Sequence, residues 1–84
     1  MNYYVYLIKS KKKNNITFTY VGYTNNLIDR IKKHNSGKGA KFTRGKKWTL
    51  IYYEIYSNKI DAMRREYNLK KDRKLRNFIK KKIS

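Results

Sequence analysis

The sequence contains no cysteine and no proline, and only four of its 84 residues are glycine. The absence of cysteine excludes a disulfide framework and a thiolate metal site, and a single histidine excludes a histidine-rich metal site. The longest apolar run, residues 3–8, is too short for a signal-peptide core or a membrane span. We therefore expect one domain spanning residues 1–84, intracellular (cytoplasm, nucleoid or nucleus), with no membrane partner.

Acidic residues are also scarce, since five stand against 23 lysines and arginines and the net charge is +18 at pH 7. Packing so many like charges together costs free energy unless a polyanion offsets the repulsion. Phosphates bind many lysines at once and release counterions, so nucleic acid is the expected partner, ahead of an anionic membrane surface. An AT-rich coding sequence would also enrich lysine, but it would enrich glutamate equally, and glutamate is rare here.

Aromatic and β-branched residues predict three strands. The first covers residues 3–8, a hairpin loop follows at residues 10–15, and the second strand covers residues 16–22. A loop centred near Lys13 would set Tyr6 opposite Tyr20 on one face of the sheet. The third strand is predicted between Trp48 and Tyr56.

A first helix is predicted over residues 26–35, capped by Thr24 or Asn25. The side chains expected to face the core are Leu27, Ile28 and Ile31. Arg30 and His34 are four residues apart, so they lie along one flank of this stripe at the edge of the core.

Two further helices are predicted after the third strand. One runs from a cap at Ser57 or Asn58 to about Lys71, and the last is capped by Asp72. The side chains expected to face inward are Ile60, Met63 and Tyr67 in the former and Leu75, Phe78 and Ile79 in the latter. Glu66 lies beside the former stripe. The order β-β-α-β-α-α predicts an α+β fold, a small three-stranded antiparallel sheet flanked by helices.

The few acidic residues limit which phosphodiester chemistry is open to this chain. Hydrolysis needs a group that activates the nucleophile, an acid for the leaving group, and positive charge on the developing phosphorane. Two-metal nucleases gather several carboxylates, which these scattered acids do not. One carboxylate can still hold a single Mg²⁺ that waters and phosphate oxygens complete. Glu66 is the only acid beside the apolar stripe of a helix, so it is the candidate.

Several motifs together resemble the GIY-YIG nuclease family. Residues 4–6 (Tyr-Val-Tyr) are similar to the first motif, with a tyrosine in place of its glycine, and residues 20–22 (Tyr-Val-Gly) are similar to the second. The candidate residues that follow in the family's order are Arg30, His34 and Glu66. Residues 30–41 and 62–66 resemble in particular the small stand-alone members and the structure-specific branch. The resemblance covers residues 3–71.

The resemblance implies a catalytic role for each of these residues. Tyr6 helps to activate the attacking water, with Tyr20 beside it, and Arg30 binds the scissile phosphate. His34 relays a proton or orients the tyrosine, and Glu66 holds a single Mg²⁺ or Mn²⁺. Each residue also has a structural interpretation: core packing for the tyrosines, a solvated charge for Arg30, an incidental position for His34, and a helical ion pair for Glu66.

A phosphate-binding surface is predicted on the loop of residues 37–47 and on the lysine run at residues 80–82. The DNA-binding candidates are Gly22, Lys38, Lys41, Arg44, Lys46 and Lys47. Gly22 is expected to let backbone or substrate approach closely. Phe42 or Trp48 is a candidate to stack on an unpaired base, with core packing the stronger expectation for Trp48.

The expected function is hydrolysis of DNA phosphodiester bonds with one divalent metal ion and no covalent intermediate. From the resemblance we expect branched, flapped or nicked DNA as substrate and a monomeric enzyme, with any partner protein unknown. The alternatives are a non-catalytic DNA- or RNA-binding module of the same fold and a ribosome-associated basic protein. The joint presence of Tyr6, Tyr20, Arg30 and Glu66 argues against lost catalysis, because drift has no reason to spare all four.

Overall fold

The computed structural model describes residues 1–11, 14 and 16–83. Its elements are β1 (Tyr3–Ser10), β2 (Thr19–Thr24), α1 (Leu27–Asn35), β3 (Trp48–Tyr56), α2 (Lys59–Lys71) and α3 (Arg73–Ile83), with a short 3-10 helix (Lys41–Thr43) before β3. The sheet is antiparallel in the order β2-β1-β3. The predicted α+β fold and element order are confirmed. Within the described residues, no helix is long and apolar enough to cross a membrane.

The pairing of β1 with β2 differs from the prediction by two residues. Tyr6 lies opposite Gly22, and Tyr20 lies opposite Ile8, so the predicted pairing of the two tyrosines was wrong. The hairpin is centred at Asn14, which adopts a left-handed φ of 53° that asparagine tolerates well. Residues 12, 13 and 15 of the predicted loop lie outside the described residues. A shift of two keeps both tyrosines on the same face, because side chains alternate along a strand.

The two faces of the sheet carry separate cores. On one face, α2 and α3 cover a buried apolar cluster of Val5, Leu7, Val21, Ile51, Ala62, Leu69 and Ile79. On the other face, α1 packs through Leu27 and Ile31 against a cluster of Tyr6, Ile8 and Trp48. The β1–β3 register shifts between Leu7 and Ile8, so that both Ile51 and Tyr52 pack toward the first face. This bulge explains why the sequence of β3 alternates only weakly.

Helix α1 begins one residue later than its predicted caps allow. Asn26 is the cap, and its side chain accepts a hydrogen bond from the backbone N–H of Asp29 at 3.1 Å, whereas Thr24 accepts from the N–H of Asn26. The expectation that Ile28 faces the core was wrong, because its side chain is 73% exposed. The helix instead buries His34 completely, which the sequence had placed only at the edge of the core.

The inward faces of α2 and α3 differ from the prediction. The predicted core residues that are largely exposed are Ile60, Met63, Tyr67 and Phe78. The face of α2 that meets the sheet is Ala62, Arg65, Glu66 and Leu69, a helical i, i+3, i+4, i+7 stripe. This rotation lets the small Ala62 approach β1 and lets Arg65 reach Glu54. The caps at Asn58 and Asp72, and the inward positions of Leu75 and Ile79, are confirmed.

Candidate active site

A buried chain of hydrogen bonds joins β1, α1 and the 3-10 helix. The Tyr6 hydroxyl lies 2.7 Å from His34 Nε2, and His34 Nδ1 lies 2.9 Å from Thr43 Oγ1. The Thr43 hydroxyl donates to the carbonyl oxygen of Ala40 at 2.8 Å. Tyr6, His34 and Thr43 are each 0% exposed. We call these three side chains the Tyr6 relay.

The direction of the protons in the Tyr6 relay follows from the Thr43 hydroxyl. It has one hydrogen, which it donates to Ala40, so it must accept from His34. His34 therefore carries its proton on Nδ1, and its Nε2 accepts a hydrogen bond from the Tyr6 hydroxyl. Burial, with a smaller effect from the positive charge of Arg30, lowers the pKa of His34 to about 4. The ring is thus neutral near pH 7.

The Tyr6 phenol is neutral as well. Burial raises its pKa to about 12, although hydrogen bonding and charge attraction from the Arg30 guanidinium act in the opposite direction. Tyr20 and Glu66 add smaller effects that also raise this pKa, so both lie near enough to act on the hydroxyl. The resting site is therefore a neutral phenol bonded to a neutral imidazole, with an arginine beside it.

Two glycines make room for the Tyr6 relay. A Cβ on Gly22 would collide with the Tyr6 hydroxyl and lie 2.6 Å from its ring carbon Cζ. A Cβ on Gly39 would collide with His34 Nδ1 and lie 3.0 Å from His34 Cα. Gly22 is buried, so the close approach predicted at this position is made to Tyr6. Its assignment as a DNA contact stays a prediction without a structural observation behind it.

Helix α2 brings Glu66 to the same region from the other side of the sheet. The ring centroids of Tyr20 and His34 are 5.1 Å apart, and Lys70 Nζ lies 5.9 Å from the Tyr20 centroid. The same Lys70 nitrogen is 3.6 Å from a carboxylate oxygen of Glu66. The structure therefore gathers all five predicted catalytic residues, Tyr6, Tyr20, Arg30, His34 and Glu66, around the edge formed by β2. Their catalytic roles remain predictions.

Thr43 is the member of the Tyr6 relay that could not be found in the sequence. A buried histidine needs a partner for each ring nitrogen, and Tyr6 supplies only one. Thr43 is the only hydroxyl-bearing residue between Gly37 and Lys47. Its position in the loop directly after the helix of His34 is the one feature of the sequence that could have indicated it as a partner of the histidine.

Glu66 is compatible with a divalent metal site of the simplest kind. Within the described part of the chain, no three or more histidine or acidic residues come together as a metal cluster. Mg²⁺ commonly uses only one or two protein carboxylates and completes its shell with waters and substrate phosphates. The Glu66 side chain is 19% exposed, and its ion pair with Lys70 is formed through one oxygen, Oε2. A partly exposed carboxylate beside the Tyr6 relay meets this requirement.

The other acidic residues have structural partners. Asp29 pairs with Lys33 at 3.3 Å, Asp61 accepts a hydrogen bond from the side chain of Asn58, and Asp72 caps α3. Glu54 accepts two hydrogen bonds from Arg65, at 2.8 and 3.0 Å, and others from the hydroxyls of Tyr52 and Tyr56. We call Glu54, Arg65, Tyr52 and Tyr56 the Glu54 cluster. Burial raises the pKa of Glu54, but the bonds from Arg65 and both tyrosines outweigh it and bring the pKa to about 2.

The predicted phosphate-binding loop is on the surface. Its basic side chains are Lys38, Lys41, Arg44 and Lys47, which are exposed, and Lys46, which is half-buried. The two candidates for stacking on a base, Phe42 and Trp48, differ clearly in exposure. Trp48 is 4% exposed and donates its indole N–H to the Thr43 carbonyl at 2.9 Å, so the packing expectation for it is confirmed. Phe42 is 47% exposed.

Comparison with known proteins identifies the family. A family model described as the GIY-YIG catalytic domain matches residues 2–80. The chain belongs to the GIY-YIG family. The match extends the resemblance of residues 3–71 into α3, so the whole arrangement of sheet and helices is that of a GIY-YIG domain.

The relatives of this GIY-YIG domain are small bacterial proteins. It is 49% identical over 69 residues to a UPF0213 protein of Clostridium perfringens, covering 81% of this chain and 70% of that protein. It is 44% identical over 71 residues to the UPF0213 protein YazA of Bacillus subtilis, covering 83% of this chain and 68% of that protein. The solution NMR structure of a UPF0213 protein from Bacillus halodurans is 41% identical, covers 95% of this chain and 84% of that chain, and has a TM-score of 0.49.

Proposed function

We propose that this GIY-YIG domain is a divalent-metal-dependent endonuclease that hydrolyses phosphodiester bonds in DNA. The observation that carries the proposal is the buried Tyr6 relay, with Arg30 and Glu66 beside it. A fully buried tyrosine, histidine and threonine cost more to bury than an apolar cluster of the same size would, and a proton-transfer role explains why they are there. Membership of a nuclease family and the charge of +18 support DNA as the substrate.

The Tyr6 relay can accept the proton of an attacking water. As the Tyr6 oxygen takes that proton, its own proton passes to His34 Nε2, which the hydrogen bond at 2.7 Å already aligns. Thr43 holds the imidazole in the tautomer that leaves Nε2 able to accept. The proton therefore leaves the water without a free phenolate forming in the buried site.

Arg30 connects substrate binding to this transfer. A guanidinium binds two phosphate oxygens in a planar fork and stabilises the charge that develops on phosphorus. Its positive charge also contributes to the low pKa of His34. A phosphate bound at Arg30 offsets that charge, which raises the pKa of His34 and makes the imidazole a better acceptor when substrate is present.

Glu66 would hold a single Mg²⁺ or Mn²⁺. Bound there, the ion would stabilise negative charge on the phosphoryl oxygens. The carboxylate first has to separate from Lys70, whose side chain is 49% exposed. That separation costs little, because a helical i, i+4 pair with a half-exposed lysine contributes only about 0.3–0.5 kcal/mol. We further propose branched, flapped or nicked DNA as substrate, since residues 30–41 and 62–66 resemble the structure-specific members.

A cleavage assay tests the proposal. Labelled duplex, nicked, flapped and branched DNAs are incubated with the protein and Mg²⁺, Mn²⁺ or a chelator. We expect cut products with either ion, none with the chelator, and more from interrupted or branched DNA than from intact duplex. A Glu66→Gln protein purified in parallel controls for a contaminating nuclease, since its products should disappear. Failure to cut any of these DNAs with either ion would overturn the proposal.

The competing function is a non-catalytic DNA- or RNA-binding module. The observation in its favour is the Glu66–Lys70 ion pair, which gives the glutamate a structural role without a metal. DNA binding by the folded protein without cleavage under any metal condition would support this alternative. The same assay therefore decides between the two functions.

A further inference from the structure

A row of aromatic rings leads from the active site to the surface. Tyr20, in contact with His34, stacks on Phe42 with centroids 6.2 Å apart and planes at 19°. Phe42 in turn meets Phe18 edge-on at 5.8 Å. Phe42 is 47% exposed and Phe18 is 41% exposed. Both apolar side chains lie beside a candidate reaction centre and are nearly half exposed. They contribute little to the core and present ring surface to solvent.

A lysine is fixed against this row. Lys46 Nζ lies 4.9 Å from the Phe42 centroid and 5.2 Å from the Phe18 centroid, and it donates a hydrogen bond to the Phe42 carbonyl at 3.0 Å. The rings and the carbonyl therefore fix the position of the ammonium group at the surface. Ring surface and a positioned positive charge therefore occur together.

Two neighbouring clefts lie beside these rings. The first has a volume of about 450 Å³ and is lined by Phe18, Arg44 and Lys46 among others. The second has a volume of about 960 Å³ and includes Lys9, Lys80 and Lys81. The two clefts share Ser10, Lys11 and Lys47 along their walls. Both volumes fall within the roughly 300–1,000 Å³ typical of ligand sites. The adjoining clefts together thus extend from Phe18 to Lys80 and Lys81 of α3.

The charge of the clefts is of one sign. Every charged residue of the described chain that lines either cleft is a lysine or an arginine. The lysines come from three separate parts of the chain: β1 with the residue that follows it, the loop before β3, and the end of α3. A ligand that follows this surface must therefore carry negative charge at intervals along its length, as a phosphodiester backbone does.

We propose that Phe42, Phe18, Lys46 and the two clefts bind an unpaired DNA strand beside the bond to be cut. We call this surface the strand track. Its direction toward the scissile phosphate rests on the proposed function. Aromatic rings stack on any exposed base while lysines follow the backbone, which is how single strands are bound without sequence preference. Bases in a duplex are already stacked on each other, so a duplex would contact the lysines but leave the rings unused.

Binding of a fluorescent oligothymidylate and of a duplex of equal length tests the strand track. Both are measured by fluorescence anisotropy over a range of salt concentrations, in the presence of a chelator. Phe42→Ala should weaken single-strand binding roughly tenfold or more, with an unchanged salt dependence, and leave duplex binding as it was. Phe42→Tyr retains a ring and should restore most of the single-strand affinity. Circular dichroism and thermal unfolding establish that each variant is folded.

The basic part of the strand track is tested by its salt dependence. Lys80→Gln and Lys9→Gln should each reduce the slope of log affinity against log salt for the single strand by about 0.7. Lys32→Gln is the matched control, because this exposed lysine lies two positions from both Arg30 and His34 and lines neither cleft. Its slope should not change. An equal loss of slope in all three variants would show that lysines anywhere on the surface attract DNA equally. That result would overturn the proposed strand track.

An equal effect of Phe42→Ala on single strand and duplex would also overturn the proposal. The chelator keeps the measurement independent of cleavage. A strand track can therefore be confirmed in a protein that does not cut DNA, and a nuclease can be confirmed in a protein whose Phe42 contributes nothing to binding. The two proposals fail separately.

Discussion

Glu54 and Glu66 are the two glutamates of the chain, and each side chain is 19% exposed. Glu54 accepts hydrogen bonds from Nε and Nη2 of Arg65 and from two tyrosine hydroxyls, so its two oxygens are fully occupied. Glu66 has a longer ion pair, 3.6 Å, with a lysine that is half exposed. The two glutamates are therefore equally buried but differ greatly in the number and strength of their contacts.

The difference indicates which carboxylate holds the fold and which is available to a ligand. Breaking the contacts of Glu54 strands Arg65 and two hydroxyls in a partly buried site, which is costly. Glu66 can exchange its partner at small cost, because the lysine remains solvated when it leaves. Burial alone would make the two glutamates equal candidates for binding a metal ion. Their hydrogen-bond and ion-pair partners show which of them is available.

Replacement of Glu66 should have the largest effect on activity. Glu66→Gln keeps the size of the side chain but removes the charge that binds Mg²⁺, so cleavage should fall by about three orders of magnitude or more. DNA affinity and thermal stability should change little. Rates of DNA cleavage, measured beside binding and unfolding, check this. Equal cleavage by wild type and variant would remove Glu66 from the site.

Arg30 is expected to be next in effect. Arg30→Ala should lower cleavage by about two to three orders of magnitude, since it removes a donor to the developing charge on phosphate. Arg30→Lys should retain only part of the activity, because an ammonium group cannot grip two oxygens in a planar fork. Single-turnover cleavage rates of the wild type, Arg30→Lys and Arg30→Ala should decrease in that order. If all three cut equally fast, Arg30 is a surface charge.

Removing one hydroxyl from the Tyr6 relay should have a somewhat smaller effect. Tyr6→Phe leaves the ring in place but deletes the group that passes a proton to His34, so cleavage should fall on the order of a hundredfold. The matched comparison is Tyr53→Phe, which alters a half-exposed tyrosine of β3 at the surface of the same sheet. Retention of full activity by Tyr6→Phe would argue for a packing role.

Glu54→Gln should reverse the pattern seen at Glu66. We expect a loss of about 2–3 kcal/mol in the free energy of unfolding, because the Arg65 fork loses its charged partner, while cleavage per folded molecule is unchanged. The low pKa of Glu54 means that its contribution is present above pH 4.5 and is lost as the pH falls toward 2. Urea unfolding at several pH values measures both. Lost activity with unchanged stability would contradict the comparison.

His34 should show its effect at acidic pH, as a dependence of stability on pH. The unfolded histidine takes up a proton near pH 6.5 and the folded one near pH 4, so in this interval the unfolded state binds more protons. The stabilisation is fully present above pH 6.5 and falls by about 3 kcal/mol as the pH approaches 4. His34→Gln should lack this fall in urea unfolding experiments. The same slope in the variant would assign it to other groups.

The order of strands and helices could be predicted because it depends on local composition and caps. The register of β1 and β2 could not, because the lysine-rich hairpin offers no turn motif and the left-handed Asn14 sets its centre. The rotation of α2 was missed for a different reason. Its apolar residues suggest one inward face, but the Arg65–Glu54 contact and the small Ala62 select another, and these are tertiary interactions.

The candidate site was predictable through the family resemblance rather than through periodicity. The five residues that it named do meet in the structure, although Tyr6 and Tyr20 are not cross-strand partners. Thr43 could not be assigned, because its role depends on how the loop folds back over His34. Core packing of Trp48 was predicted, but the half-exposed ring of Phe42 required the burial that only the fold reveals.

Gly22 lies so close to the Tyr6 hydroxyl that even an alanine methyl group has no space there. A systematic mutational survey would therefore record position 22 as intolerant to every substitution, as it would a residue that takes part in the reaction. Gly22 has no side chain with which to do so. Its contribution is a steric one, and the same survey should show a partial rescue of Gly22→Ala by a smaller residue at position 6, in folding though not in cleavage.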